Sequence, residues 1–265
     1  MAMFMVHPWY KKKGLKGIWV PKTWNGTTNI NGKKVWSDGD KTYYSNGQTS
    51  YELNKSTSTW TGKIWNGLTS FDGDKVWTDG TNIYYSSGES QYILNKSTST
   101  WTQKTWNGLT SFSGKYIWTD GTNIYYSSGS THYVLNKSTS TWTTKTWTGL
   151  TNFTGDYIWT DGTNIYYSYI ITQYVLNKST SKWTEKTWRG AGRLYGAGIW
   201  TDGADIYHSY GTSYQNVLSD PANSTWSNKT WEGISDLSYF AGAYIWMDGK
   251  DIYYSYDSSN QYVLT

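Results

Sequence analysis

The ten residues WTDGTNIYYS occupy Trp77–Ser86, recur at Trp118–Ser127 and recur again at Trp159–Ser168. Working outward, their Trp-x-Asp-Gly core also stands at Trp36, Trp200 and Trp246. The first five copies are spaced by 41 residues and the last by 46, so the chain holds six copies of one unit. Self-similarity at this period is the mark of a repeat architecture, in which each unit buries its faces only against its neighbours.

Each unit divides into four short runs. In the second copy DKVWTD leads through Asp79-Gly80, a strong tight-turn dipeptide, into NIYYS, and these two runs predict a hairpin. QYILN, the turn KSTST and WTQKTW follow. Four strands of five or six residues at a period near 41 describe a propeller blade, and no 3.6-residue apolar period competes with them. The reading is therefore an all-β, six-bladed β-propeller with four antiparallel strands per blade. The five extra residues of the last interval are placed one between Ser209 and Leu218, one before Trp226 and three between Trp231 and Trp246. The sixth copy stops at Thr265 after three strands. GIWVPKTWNG at residues 17–26 matches STWTTKTWTG at residues 140–149, so residues 16–24 are expected to supply the missing outer strand. This divides the chain into an N-terminal arm, 1–15, and a propeller, 16–265.

Composition agrees with this and removes several function classes. The 265 residues include 19 Trp and 26 Tyr, suited to half-buried pleated surfaces, against 3 Pro. With no Cys there is no disulfide framework, thiolate metal site or cysteine nucleophile. The net charge of +4 is small and its lysines are dispersed, so no nucleic-acid track is expected. No apolar stretch reaches the ~20 residues of a membrane-spanning helix, and the start lacks the pattern of a secretory signal. A surface palette of Ser, Thr, Asn, Gly and Tyr still suits external recognition. A virion component released by lysis, or an extracellular protein, reconciles these facts; failing that, the location is cytoplasmic. The arm carries Phe4, Trp9, Tyr10, Lys11, Lys12 and Lys13 and reads as a candidate subunit anchor.

The runs NKSTSTW at residues 54–60 and DPANSTW at residues 220–226 resemble the segment joining third and fourth strands in kelch repeats. The paired Tyr before a Gly-bearing loop and the Trp closing each unit are similar too. The likeness spans residues 16–265, with one departure: Tyr-Ser, as at Tyr85-Ser86, stands where kelch repeats carry a glycine doublet. The resemblance implies a propeller like the central domain of galactose-oxidase-type enzymes, used also for protein binding and in phage tail proteins. Its enzyme branch employs a copper-bound tyrosine cross-linked to cysteine, which a chain without Cys cannot form.

Catalytic candidates are sparse. His7, His132 and His208 share no repeat position, so neither a metal set nor a base with its orienting partner is expected. Asp38, Asp79, Asp120, Asp161, Asp202 and Asp248 could ring a central channel and hold a cation, although an Asp before Gly more simply caps its own turn. Ile30, Phe71, Phe112, Phe153, Leu194 and Phe240 hold one apolar position and are expected in the core. The lysines Lys22, Lys63, Lys104, Lys145, Lys186 and Lys229 are read as guards of the outer strand edges in preference to a phosphate site.

Copies differ mainly where second strands turn into third strands and fourth strands return to the axis, which places the variation on one face. There, ligand contacts are expected from Tyr169, Ile170, Ile171, Arg189, Arg193, Tyr195, Tyr210, Tyr239 and Tyr256. The functional expectation is a non-enzymatic recognition module, a phage virion or tail component binding a host-surface glycan or protein, with no cofactor and no metal. The alternative is a purely structural virion protein docked through its arm. A propeller hydrolase or lyase ranks last, since no paired carboxylate or nucleophile stands apart from the repeat.

Overall fold

The computed structural model describes residues 17–212, 214–220, 223–234 and 238–265. The arm residues Phe4, Trp9, Tyr10, Lys11, Lys12 and Lys13, together with His7, lie outside the described residues.

Six antiparallel sheets follow one another around an axis. Blade 1 is built from Val35–Ser37, Thr42–Gly47, Thr49–Asn54 and Thr59–Gly62, and blades 2 to 5 repeat this order. Blade 6 takes Ile245–Met247, Ile252–Ser255 and Gln261–Leu264 from the end of the chain and Trp19–Pro21 from its start. Trp19 lies opposite Leu264 and Pro21 opposite Tyr262. The N–H of Gly17 donates to the Thr265 carbonyl at 3.0 Å. The six-bladed all-β ring closed by an N-terminal strand is thus the observed fold. The insertions fall as expected: blade 5 has a longer hairpin between Tyr210 and Tyr214, and a register shift between Leu218 and Asp220.

The repeated decapeptide is explained residue by residue. In blade 2 the Trp77 indole N–H donates to Ser86 Oγ at 2.9 Å, and the Thr78 hydroxyl donates to the Asn82 carbonyl at 2.7 Å. Asp79 Oδ1 accepts the N–H groups of Thr81 and Asn82, at 2.9 and 2.7 Å, while Oδ2 accepts the Tyr84 hydroxyl at 2.9 Å. Gly80 holds φ +92°, which a side chain would strain. Tyr84 stacks on Trp77 with centroids 4.5 Å apart. The polar side-chain groups of Trp77, Thr78, Asp79, Tyr84 and Ser86 all have partners within the hairpin, which explains why these letters recur from blade to blade.

Between blades the aromatic rings fill a wedge. Trp77 and Tyr84 of blade 2 pack with Trp106, Phe112 and Trp142, the last from the outer strand of blade 3. Rings of this size bury roughly 150–250 Å² each. At about 25 cal/mol per Å² that is several kcal/mol per ring as an upper bound. Ile30, Phe71, Phe112, Phe153, Leu194 and Phe240 are all buried in these wedges.

Two further devices stitch the ring. The chain leaving each outer strand makes a parallel bridge to the next blade's outer strand, as where Asn66 N–H donates to the Ser99 carbonyl and Asn66 accepts from Trp101 N–H. Close to the axis, six one-turn 3-10 segments from Gly32–Lys34 to Gly242–Tyr244 form a closed circle, each touching the next and the last touching the first. A Cβ on Gly73 would stand 2.0 Å from the Lys34 carbonyl oxygen of the preceding blade, so only glycine permits that approach. The outer-strand lysines belong to the same seam and do not serve as free edge guards. Lys63 Nζ lies 4.9 Å over the Trp65 ring and donates to Ser99 Oγ of the next blade at 2.8 Å. Lys22, Lys104, Lys145 and Lys186 make the equivalent pair of contacts.

Candidate recognition face

The two faces of the ring differ in chemistry. One carries the Asp-Gly turns and the turns between third and fourth strands, and it is nearly self-satisfied. All six signature aspartates accept two backbone N–H groups of their own turn and one tyrosine hydroxyl. Burial by itself would raise the carboxyls of Asp79, Asp120 and Asp161. The donated N–H and O–H groups more than offset it and hold them below the ordinary carboxylate value. These oxygens are committed to turns, so the ring of aspartates is architectural. Among the described residues no group of three His, Cys, Asp or Glu side chains could hold a metal. Lysines of this face also latch neighbours: Lys96, Lys137 and Lys178 donate to the carbonyls of Asp38, Asp79 and Asp120 in the preceding blades.

The other face carries the variable hairpins and is itself divided. Over blades 1 and 2 it is a charged network. Lys34 Nζ pairs with Asp72 at 2.7 Å and donates to Asn46 Oδ1 at 2.6 Å, and Lys75 donates to Ser87 Oγ at 3.1 Å. Over blades 4 to 6 the equivalents of Asn46 and Ser87 are Tyr169, Tyr210 and Tyr256. Tyr157 lies 4.7 Å from Tyr169, Tyr169 lies 6.2 Å from Tyr195, and Tyr195 stacks on Tyr210 at 4.3 Å and 20°. On blade 6 Tyr239 stacks on Tyr256 at 4.9 Å and 14°, with Tyr244 edge-on at 4.8 Å. The loop bearing Tyr239 is tied to the blade 5 hairpin, since Gly211 N–H donates to the Phe240 carbonyl at 2.9 Å. Lys33 of blade 1 closes the belt, 4.1 Å over the Tyr244 ring.

The blade 4 hairpin is distinctive at its tip. Ile170 holds φ +58° at a position where the equivalent hairpins have Gly47, Gly88, Gly129 and Gly211 at φ of +62° to +63°. A β-branched residue there costs of the order of 1–2 kcal/mol. Its neighbour Ile171 is 79% exposed.

The structure therefore gathers Tyr169, Ile170, Ile171, Tyr195 and Tyr210 at the junction of blades 4 and 5, and Tyr239 with Tyr256 on blade 6. Arg193 is exposed beside Leu194, which pairs with Ile170. Arg189 is elsewhere. Its N–H donates to the Ser224 carbonyl at 2.9 Å, which fixes it beside the turn before the outer strand of blade 5, away from the tyrosines. Sequence reading missed Tyr157 and Tyr244. The signal was available in the third residue of the axial turn, which runs Lys34, Lys75, Tyr116, Tyr157, Gly198, Tyr244.

The two described histidines are packing residues. His132 stacks on Phe153 at 4.4 Å with Nε2 3.0 Å from the Thr151 carbonyl. His208 is fully buried where other blades have Tyr, and its Nε2 accepts the Tyr195 N–H at 3.2 Å. Burial lowers the pKa of both, that of His208 to about 4.

No protein-family model matches the chain, and no curated protein matches it. Among solved structures it is similar to a crystal structure of the extracellular domain of a putative one component system from B. thetaiotaomicron. That likeness has TM-score 0.54 and 13% identity, and covers 87% of this chain. The chain spans 32% of that structure's length, and the likeness is one of fold alone.

Proposed function

We propose that this chain is a non-enzymatic recognition propeller, carried as a phage virion or tail component, that binds a host-surface glycan or protein through the aromatic half of its variable face. One observation carries the reading. Of the six large apolar side chains exposed among the described residues, Tyr169, Ile171, Tyr210 and Tyr239 all lie on this face of blades 4 to 6. Apolar surface gathered on one rigid patch, while equivalent positions two blades away are Asn and Ser, is what a binding site requires. The strained Ile170 at the same spot adds to the case, because backbone strain persists where something other than stability selects it. The virion setting is supported by the surface palette and by the resemblance of the repeat to kelch repeats, whose propellers also occur in phage tail proteins.

The test is binding of the fluorescent full-length protein to a panel of whole bacterial cells. Tyr210→Ala should weaken binding by about tenfold on any strain that binds, and Lys75→Ala, on the charged half, should leave it intact. Absence of binding to every strain, or equal loss in both variants, overturns the reading.

A further inference from the structure

We propose that the arc Tyr157, Tyr169, Tyr195 and Tyr210, spanning blades 4 and 5, is a stacking subsite for a neutral carbohydrate. This rests on the reading of the variable face as the binding surface and names the ligand class.

Size argues first. Of the arc, Tyr169 and Tyr210 are 40% and 47% exposed. At roughly 150–250 Å² per ring, the two leave roughly 130–220 Å² uncovered. A stable protein interface needs about 800 Å² on each partner. The patch falls well short of that and suits one or two sugar rings.

Chemistry argues next. The exposed side chains of the arc are flat tyrosines. The negative face of such a ring attracts the weakly positive C–H face of a pyranose, and its phenolic edge meets hydroxyls. The stack of Tyr195 on Tyr210, with interplanar angle 20°, holds one plate rigid. Tyr157 in turn abuts Tyr169 across 4.7 Å, so the plates are preorganised and little ordering entropy is lost on binding.

Charge argues last, and it sets the neutrality of the ligand. The lysine–aspartate ion pairs of this face, Lys34 and Lys75 with Asp72, lie on blades 1 and 2. Among the described residues Arg193 is the exposed cation beside the arc, and the half-buried Lys115 of blade 3 interacts with Asp156. Asp156, adjacent to Tyr157 in the axial turn, offsets Lys115 and disfavours a carboxylate against the tyrosines.

An array of immobilised neutral and acidic oligosaccharides, probed with the fluorescent full-length protein at low and high salt, tests this. Neutral members should bind, with little change in salt. Tyr210→Ala should weaken binding by about tenfold, while Tyr210→Phe, which keeps the plate, should stay within about threefold. On cells that bind, periodate oxidation of surface sugars should remove the signal. Binding confined to acidic members and lost in high salt overturns the proposal, as does a Tyr210→Ala variant that binds neutral members like the parent. If cell binding survives periodate but is abolished by protease treatment, the ligand is a protein: the carbohydrate inference falls and the recognition reading stands. If neither array nor cells bind, both fall.

Discussion

At the scale of single residues, the buried histidines make stability depend on pH. His208 is ionised in the unfolded chain below about pH 6.5 but stays neutral in the fold down to about pH 4. The folded state thus binds fewer protons between these values. Stability is fully present above pH 6.5 and falls as the pH drops toward 4, by up to about 3 kcal/mol. His132 acts in the same direction. Asp79, Asp120 and Asp161, whose folded values are depressed, withdraw their contribution only below about pH 4. Urea unfolding at pH 7 and pH 4.5 should show the drop. A His132→Gln and His208→Tyr double variant, carrying residues that other blades use at these positions, should flatten it. A parent protein equally stable at both pH values would refute the assignment.

At the scale of the element, the axial glycines set how closely blades approach. Gly73→Ala drives a Cβ to 2.0 Å from a backbone carbonyl and should cost roughly 3 kcal/mol or more. Gly80→Ala meets no atom within 4 Å and pays only for its positive φ, about 1 kcal/mol. Denaturant melts of the two variants should separate them clearly, and equal costs would contradict the packing described. The sequence shows both glycines equally well, yet only the turn glycine was readable from it. Asp-Gly before NIYYS is local chemistry, whereas Gly73 answers to a carbonyl in another blade. The lysines teach the same lesson: the period places Lys63 on an outer strand, but its partner Ser99 lies 36 residues away in the next blade. Strands, hairpins and core positions such as Phe71 follow from local pattern. The aromatic belt was half legible, because Tyr169 and Tyr210 break a repeat openly, whereas Tyr157 meets Tyr169 only because the axial turn sits beside the end of the second strand of blade 4, a juxtaposition the repeat pattern does not spell out. Arg189 was misplaced for the same reason, since its parallel bridge to blade 5 is invisible in the chain order.

At the scale of the molecule, a ring of near-identical wedges is closed by pairing its two ends. Deleting residues 1–24 removes Trp19 and Trp24, both buried, and leaves blade 6 with three strands. Each lost tryptophan is worth about 3–5 kcal/mol, so the melting temperature should fall by at least about 10 °C relative to a chain lacking residues 1–16 only. Equal melting of the two truncations would contradict the closure. The same near-identity offers a clean test of where function resides, because hairpins can be exchanged between blades without changing their backbone. The blade 4 sequence SYIITQ, residues 168–173, can be replaced by SSGESQ from residues 86–91. This removes Tyr169 and both isoleucines and relieves the left-handed Ile170. The deciding measurement is whole-cell binding of this exchange variant beside its thermal melt. We predict a melting temperature equal to or above that of the parent together with at least about tenfold weaker binding; an intact ring that binds cells as the parent does would contradict the account.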